Sequence, residues 1–243
     1  MALHDHLEGA FGEAQPWHFE WQTRCPYVAD SERTLVRAAF EPLGRKVLDL
    51  GCGEGATFVH LGRTNDAVGV DLFEDKLAFA RQQLPGCEFV AAPVEDLPFD
   101  AGRFDHVLAR DIIHHLDEPE RFVQEAWRVL EPGGRLDVLE PCRYSPLIAM
   151  HALLIPAERG ELRSTEGFLR QLLEPRFAIT GVRRHQALPI HRVVFHPTMG
   201  SPRIAEHALA RAAVGAVERL AEHIVPRFAW SYMHVAAVKA SSP

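Results

Sequence analysis

Apolar residues recur in short blocks through the middle of the chain, separated by mixed polar stretches. The blocks are KVLDL (Lys46–Leu50), AVGVDL (Ala67–Leu72), CEFVAA (Cys87–Ala92), DHVLAR (Asp105–Arg110) and RLDVLE (Arg135–Glu140). Each is short and nearly continuous in apolar character, the pattern of strands buried on both faces. Between them the spacing changes to threes and fours. In EPERFVQEAWRVLEPGG, Phe122, Ala126 and Val129 or Leu130 share a face, and Pro132-Gly133-Gly134 closes the helix. Strands alternating with helices predict βαβ units, hence a doubly wound α/β fold on a mostly parallel sheet.

The flanks differ from this core. Residues 1–44 hold the aromatics Trp17, Phe19, Trp21 and Tyr27, then a helix from Ser31 to Phe40, and read as a cap or lid. Residues 45–140 form the ligand-binding core, and residues 141–175 turn helical again as a substrate cap. Residues 176–243 hold two further strands, RFAITGVRRH (Arg176–His185) and SYMHVAAVKA (Ser231–Ala240), an antiparallel edge pair that brings the sheet to seven strands. An alanine-rich helix, Arg203–Val225, is inserted between them, with apolar positions at Ile204, Ala208, Leu209, Ala212, Val217, Leu220 and Ile224. That stripe suits a cover over the acceptor cleft, a layer on the sheet or a homodimer face. All four segments read as one domain.

Composition narrows the class. A chain of 243 residues with 47% hydrophobic and 24% charged content suits a globular fold with one sizeable core. A net charge of −7 argues against nucleic-acid binding, which needs a basic face. The four cysteines, Cys25, Cys52, Cys87 and Cys142, stand far apart, which suits neither a zinc site nor a disulfide framework and points to a reducing, cytoplasmic setting. The N-terminus shows no signal-peptide pattern, and no apolar run reaches the ~18 residues of a membrane span.

The chemistry concentrates at VLDLGCGEG, Val47–Gly55. Gly51-x-Gly53-x-x-Ala56 fits a dinucleotide fingerprint, with Asp71 near the place of a ribose-binding acid. Charge decides against that ligand. A pyrophosphate needs bare N–H groups and a positive helix end, and here it would meet Asp49 and Glu54. S-adenosylmethionine carries a sulfonium and an ammonium and no phosphate, so the carboxylates favour it.

These motifs resemble those of the class I S-adenosylmethionine-dependent methyltransferases, in the small-molecule branch that includes ubiquinone and sterol methyltransferases. The likeness runs from about Val47 to Glu140, through VLDLGCGEG, GVDL, VEDLPFDAGRFDHVLARDIIHHL and RVLEPGGRLDVLEP. The resemblance implies a Rossmann-like fold and S-adenosyl-L-methionine as cofactor, with S-adenosyl-L-homocysteine as product. It further implies that Asp49 and the Gly51-Cys52-Gly53 backbone meet the methionyl part, that Asp71 binds ribose, and that Leu72 packs on adenine. Val94 and Glu95 would reach the adenine edge, and Ala109 and Arg110 the methionyl end. Pro93 stands where relatives often carry an adenine-binding acid, so either Glu95 or a backbone carbonyl substitutes, or the adenine is held more loosely.

A methyl acceptor with a hydroxyl or activated carbon also needs a base, placed at the C-terminal ends of the fourth and fifth strands. His114, His115 and Glu140 occupy those positions, and the histidine pair equally suits packing of the following helix. Trp17, Trp21, Tyr27 and Arg163 are candidate contacts for a small, apolar acceptor such as a polyketide, quinone, terpenoid or lipid. His4-x-His6 near the start could touch a metal but suits a mobile terminus better, and His185, His191 and His196 are scattered without a matched carboxylate cluster, so no metal is expected. The expectation is an enzyme transferring a methyl group to O, N or C of that acceptor. The alternative is a non-catalytic S-adenosylmethionine-binding partner protein.

Overall fold

The structure, a computed structural model, describes residues 12–63 and 65–240. The His4-x-His6 pair lies outside the described residues. Among the described residues, two helices, α1 (Pro16–Arg24) and α2 (Val28–Phe40), precede the sheet. The core then alternates β1 (Val47–Leu50), α3 (Ala56–Leu61), β2 (Asn65–Asp71), α4 (Glu74–Gln83), β3 (Gly86–Ala91) and β4 (Phe104–Arg110). It continues through α5 (Pro119–Val129), β5 (Leu130–Pro141), α6 (Pro146–Leu154), α7 (Glu166–Leu173) and β6 (Phe177–His185). A single turn, α8 (His191–Val194), and the long α9 (Ala208–Ile224) come before β7 (Tyr232–Lys239).

The seven strands lie in the order β3-β2-β1-β4-β5-β7-β6, with β7 antiparallel to both its neighbours. Chain direction across the sheet reverses between β1 and β4, so a crevice opens above the C-terminal ends of those two strands. Helices cover both faces, as the continuous apolar strands require. Phe122, Val123, Ala126 and Val129 of α5 pack with Leu169, Leu172 and Leu173 of α7 on one side. Leu35, Val36, Ala39 and Phe40 of α2 pack with Leu77 and Ala80 of α4 on the other.

Two expected boundaries move. Helix α5 stops at Val129, and the Glu131–Gly134 segment is absorbed into β5 as an irregularity, where pairing jumps from Phe104↔Leu130 to His106↔Arg135. The inserted helix breaks in two: a 3-10 turn at Pro202–Glu206, then α9 from Ala208. The break lets Ala205 sink fully into a small core with Trp21, Val28, Phe195 and Val214. Arg211 closes it by donating to the Ala205 and Glu206 carbonyls. The apolar stripe of α9 therefore points outward. Leu209, Val217, Leu220 and Ile224 are exposed, and the helix rests on Val214, Gly215 and Ala221 instead.

One polar network runs inside the sheet. Asp137 on β5 accepts from His106 of β4 at 2.8 Å and from His234 of β7 at 2.7 Å. Arg135 reaches the same carboxylate at 2.6 Å and also donates to the Phe40 and Pro42 carbonyls, tying α2 to the strands. Burial alone would raise the Asp137 pKa, but the hydrogen bonds from His106 and His234 outweigh it and hold it down at about 2. A carboxylate held below its ordinary value stabilises the fold above about pH 4 and loses that contribution as pH falls towards 2. Asp137→Asn is expected to lower the unfolding free energy by about 3 kcal/mol. Urea titrations between pH 2 and 7 check this, and the variant should lack the part of the acid limb that Asp137 contributes.

Candidate functional site

The glycine turn after β1 builds the floor of the crevice. Gly51, Gly53 and Gly55 all have positive φ, at 75°, 52° and 85°. A side chain on Gly51 would strike Ile112, whereas at Gly53 nothing lies within 4 Å of the place a Cβ would take. The turn therefore presents open backbone at Gly53. Asp71, at the end of β2, accepts from Gly53 N at 2.9 Å and from Phe73 N at 3.1 Å, fixing the loop. Leu72 beside it is 37% exposed, an apolar surface left open at the crevice. Val94 is buried and Glu95 half-buried, and burial raises the Glu95 pKa.

Asp49 is the anomaly of this floor. It is 1% exposed, and its Oδ2 has no hydrogen-bond partner among the described residues. Burial drives its pKa up to about 7, against the opposing Arg110 charge and a hydrogen bond from Thr57. A buried carboxyl with a bare oxygen beside an open glycine turn fits a cationic ligand group. Glu54 does not share this role: its Oε1 accepts from Gln15 N and holds the N-terminal segment.

Arg110, at the end of β4 after the buried Ala109, belongs to a charge cluster that sequence reasoning missed. Glu32 of α2, itself fully buried, receives Arg110 on one oxygen and Arg192 of α8 on the other. Burial would raise the Glu32 pKa, but the Arg192 and Arg110 charges hold it down at about 2. Asp111 adds a second partner to Arg110 at 3.3 Å. Glu32 lies 78 positions before Arg110 and 160 before Arg192, so no local pattern announces the cluster.

Above this floor, Glu140 closes the gap between β5 and the loop after β4. It accepts from the backbone N–H groups of Ile112, Ile113 and His114 and from His114 Nδ1 at 2.8 Å. Four donors fill its oxygens. The 3-10 segment Pro156–Arg163 then presses on the same loop. Gly160 permits the approach, because a Cβ there would fall 1.8 Å from the His114 carbonyl oxygen. Glu158 of this segment lies 3.4 Å from His114 Nε2 and 3.7 Å from His115 Nε2. Arg163 donates to the His114 and Leu116 carbonyls, so it clamps the loop. Glu158 has no signal in the sequence, where it is one acid among several in a polar stretch.

The two histidines diverge. Burial would lower the His114 pKa, but the Glu140 charge and hydrogen bond, with Glu158, raise it to about 10. For His115, burial and then the neighbouring His114 charge lower it to about 4. The aromatic candidates lie to one side. Trp21 is buried and donates from Nε1 to Phe195 O at 2.8 Å, Tyr27 donates to Glu218 of α9 at 2.6 Å, and Trp17 is 44% exposed. A groove of about 910 Å³ opens at the opposite rim, lined by Arg45, Lys46, Arg63, Glu88 and Arg103 among others. It lies at the N-terminal ends of the strands, away from all of this chemistry.

An open α/β sheet with an anionic, glycine-floored crevice at its switch point defines a Rossmann-like ligand-binding protein. Residues 48–138 match the family model described as a methyltransferase domain. The phthiotriol/phenolphthiotriol dimycocerosates methyltransferase of Mycobacterium tuberculosis is 41% identical over 96 residues, covering 37% of this chain and 36% of that protein. The demethylmenaquinone methyltransferase of Clavibacter sepedonicus is 36% identical over 109 residues, covering 43% of this chain and 44% of that protein. Both matches take in well under half of the relative's length. The solved phosphoethanolamine N-methyltransferase 2 of Haemonchus contortus, in complex with S-adenosyl-L-methionine, shares the fold with a TM-score of 0.66 at 16% identity. That likeness covers 99% of this chain and 60% of the other.

The His114–Glu140 pair carries a stability consequence. A histidine held above its ordinary value stabilises the fold fully below about pH 6.5, and that contribution fades as pH rises towards 10. Ring nitrogen NMR at pH 7.5 is expected to show both His114 nitrogens protonated and His115 neutral. Glu140→Gln should return His114 to a neutral ring at that pH.

Proposed function

We propose that the protein binds S-adenosyl-L-methionine in this crevice and transfers its methyl group to an oxygen, nitrogen or carbon of a small, apolar organic molecule. The observation that carries the reading is the bare, buried Asp49 carboxyl beside the open Gly53 turn. A cofactor with an ammonium and a sulfonium supplies the positive charge that Asp49 lacks. Gly51, Cys52 and Gly53 line its methionyl part, and Asp71 keeps lone pairs for the ribose hydroxyls. Leu72 and Val94 flank the adenine, with Glu95 near its edge. Ala109 and Arg110 close the methionyl end.

In the transfer, a lone pair of the acceptor forms a bond to the methyl carbon while the carbon–sulfur bond breaks and sulfur keeps the pair. Alignment and exclusion of water supply most of the acceleration. Glu140 acts as a positioning residue, because its oxygens are saturated by the loop it holds. Of the two histidines, His115 is the more open, at 14% side-chain exposure against 3% for His114. It is the candidate to take a proton from an acceptor that carries one. An apolar acceptor agrees with the exposed Met150, Leu153 and Leu154 of α6, next to the segment that carries Glu158. It also agrees with the phthiotriol dimycocerosates and the demethylmenaquinone in the names of the two relatives.

Two measurements test the reading. Calorimetry should show S-adenosyl-L-homocysteine binding and no response to NAD, with Asp71→Ala weakening the affinity at least tenfold. Protons compete with a cationic ligand for Asp49, so S-adenosyl-L-methionine affinity should rise with pH, by up to tenfold per unit, and level off near pH 7. Asp49→Asn should remove that slope. An affinity flat between pH 5.5 and 8 in the unaltered protein overturns the role given to Asp49. With an accepted substrate, His115→Ala is expected to reduce turnover about a hundredfold.

A further inference from the structure

The loop after β4 and the segment beneath α6 bring together a set of groups that hydrogen bonding among themselves only partly explains. His114 Nε2 and His115 Nε2 both face Glu158, at 3.4 and 3.7 Å, and the three donor atoms lie within 4.8 Å of one another. Glu158 is shared with a second such group, in which His151 of α6 and the buried Glu161 join it, with His151 Nδ1 3.2 Å from Glu161. A tetrahedral ion with bonds of about 2.0–2.1 Å holds its ligand atoms about 3.4 Å apart. The Glu158 separations therefore already stand close to the edge lengths of such a site.

The surroundings have the form a metal centre needs. A ligating histidine generally donates its other ring nitrogen to a carboxylate, which fixes the ring and its tautomer. His114 does this through Nδ1 to Glu140, leaving Nε2 directed at Glu158. The ring of His115 lies with its centroid 4.0 Å from that of His114, so both Nε2 atoms emerge on one side. Gly160 seats Glu158 there by letting its segment approach the His114 carbonyl, where any larger residue would collide.

We propose that His114, His115 and Glu158 bind a divalent transition-metal cation of the zinc class, with His151 and Glu161 as its flanking shell. Imidazole and carboxylate ligands suit Zn²⁺ and its first-row neighbours, while Mg²⁺ prefers an all-oxygen set. Three protein ligands leave a fourth position open, the arrangement of sites that take a substrate atom. Resting on the methyl-transfer reading, this narrows the acceptor to one that offers an oxygen to the cation. A hydroxyl bound there loses its proton to solvent more readily. Its oxygen then forms the bond to the methyl carbon, and sulfur departs with the carbon–sulfur pair. Cation binding releases the Nε2 proton of His114 to solvent and takes the Nε2 lone pairs of both histidines, so removal of the hydroxyl proton passes from the side chain to solvent water.

The test uses the full chain with His4 and His6 replaced by alanine, treated with chelator and then titrated with Zn²⁺ or with Mg²⁺. One Zn²⁺ per chain with a Kd below about 10 μM is expected, and no Mg²⁺ binding. Glu158→Gln and His115→Ala should each weaken Zn²⁺ at least a hundredfold, while His223→Ala on the surface of α9 leaves it unchanged. Binding of S-adenosyl-L-homocysteine to the same variants reports that the fold and the cofactor crevice persist. Absence of stoichiometric Zn²⁺ binding, or binding that survives both substitutions, overturns the site. Zn²⁺ binding without any S-adenosyl-L-homocysteine binding would leave the cation site standing and remove the methyl-transfer reading instead.

Discussion

Buried carboxylates at the C-terminal rim of the sheet must each find positive charge or hydrogen-bond donors, and the site is organised by how they do so. An uncompensated charge in a low-dielectric interior costs several kcal/mol. Asp71 is satisfied by backbone N–H groups of the glycine turn and the start of α4. Glu140 is satisfied by three backbone N–H groups and one imidazole, and Glu32 by two guanidinium groups. Asp49 alone among the four keeps a bare oxygen, and it does so where the backbone is open. The rim thus divides into acids whose oxygens are taken up in building the crevice and one, Asp49, that keeps an oxygen bare.

The same requirement holds the caps in place. Glu32 belongs to the N-terminal helix α2, Arg192 to the insertion before β7, and Arg110 to the core strand β4, so one ion cluster joins three distant segments. Trp21 deepens the joint by packing with Phe195, Ala205 and Val214 while its indole N–H donates to Phe195. Glu218 of α9 completes it, accepting from Tyr27 and from His191. The wall beside the crevice is therefore made from the two ends of the chain folded onto each other. Residues such as Trp21 and Tyr27, which resemble acceptor contacts in the sequence, serve that joint.

On the opposite side, the wall is the loop of His114 and His115 under the segment of Glu158. Its geometry follows from two close approaches, Glu140 to three consecutive N–H groups and Gly160 to the His114 carbonyl. Because both are nearly incompressible contacts, the imidazoles have little freedom to move.

The chain itself determined the sheet. Continuous apolar blocks such as Val47–Leu50 and Asp105–Arg110 can only be strands covered on both faces, and the glycines after Leu50 already mark the tight turn between Asp49 and the following helix. These are local signals, carried by period and by neighbouring residues. Tertiary structure alone decided what depends on groups far apart in sequence. Glu158 reaches His114 across 44 positions, and Glu32 meets Arg192 across 160. The direction of the α9 stripe is of the same kind. Its period gives an amphipathic helix, but the burial of Ala205 and the hydrogen bonds to Glu218 turn Leu209 and Leu220 to the outside. Periodicity fixes that a face exists, and only long-range packing fixes which way it looks.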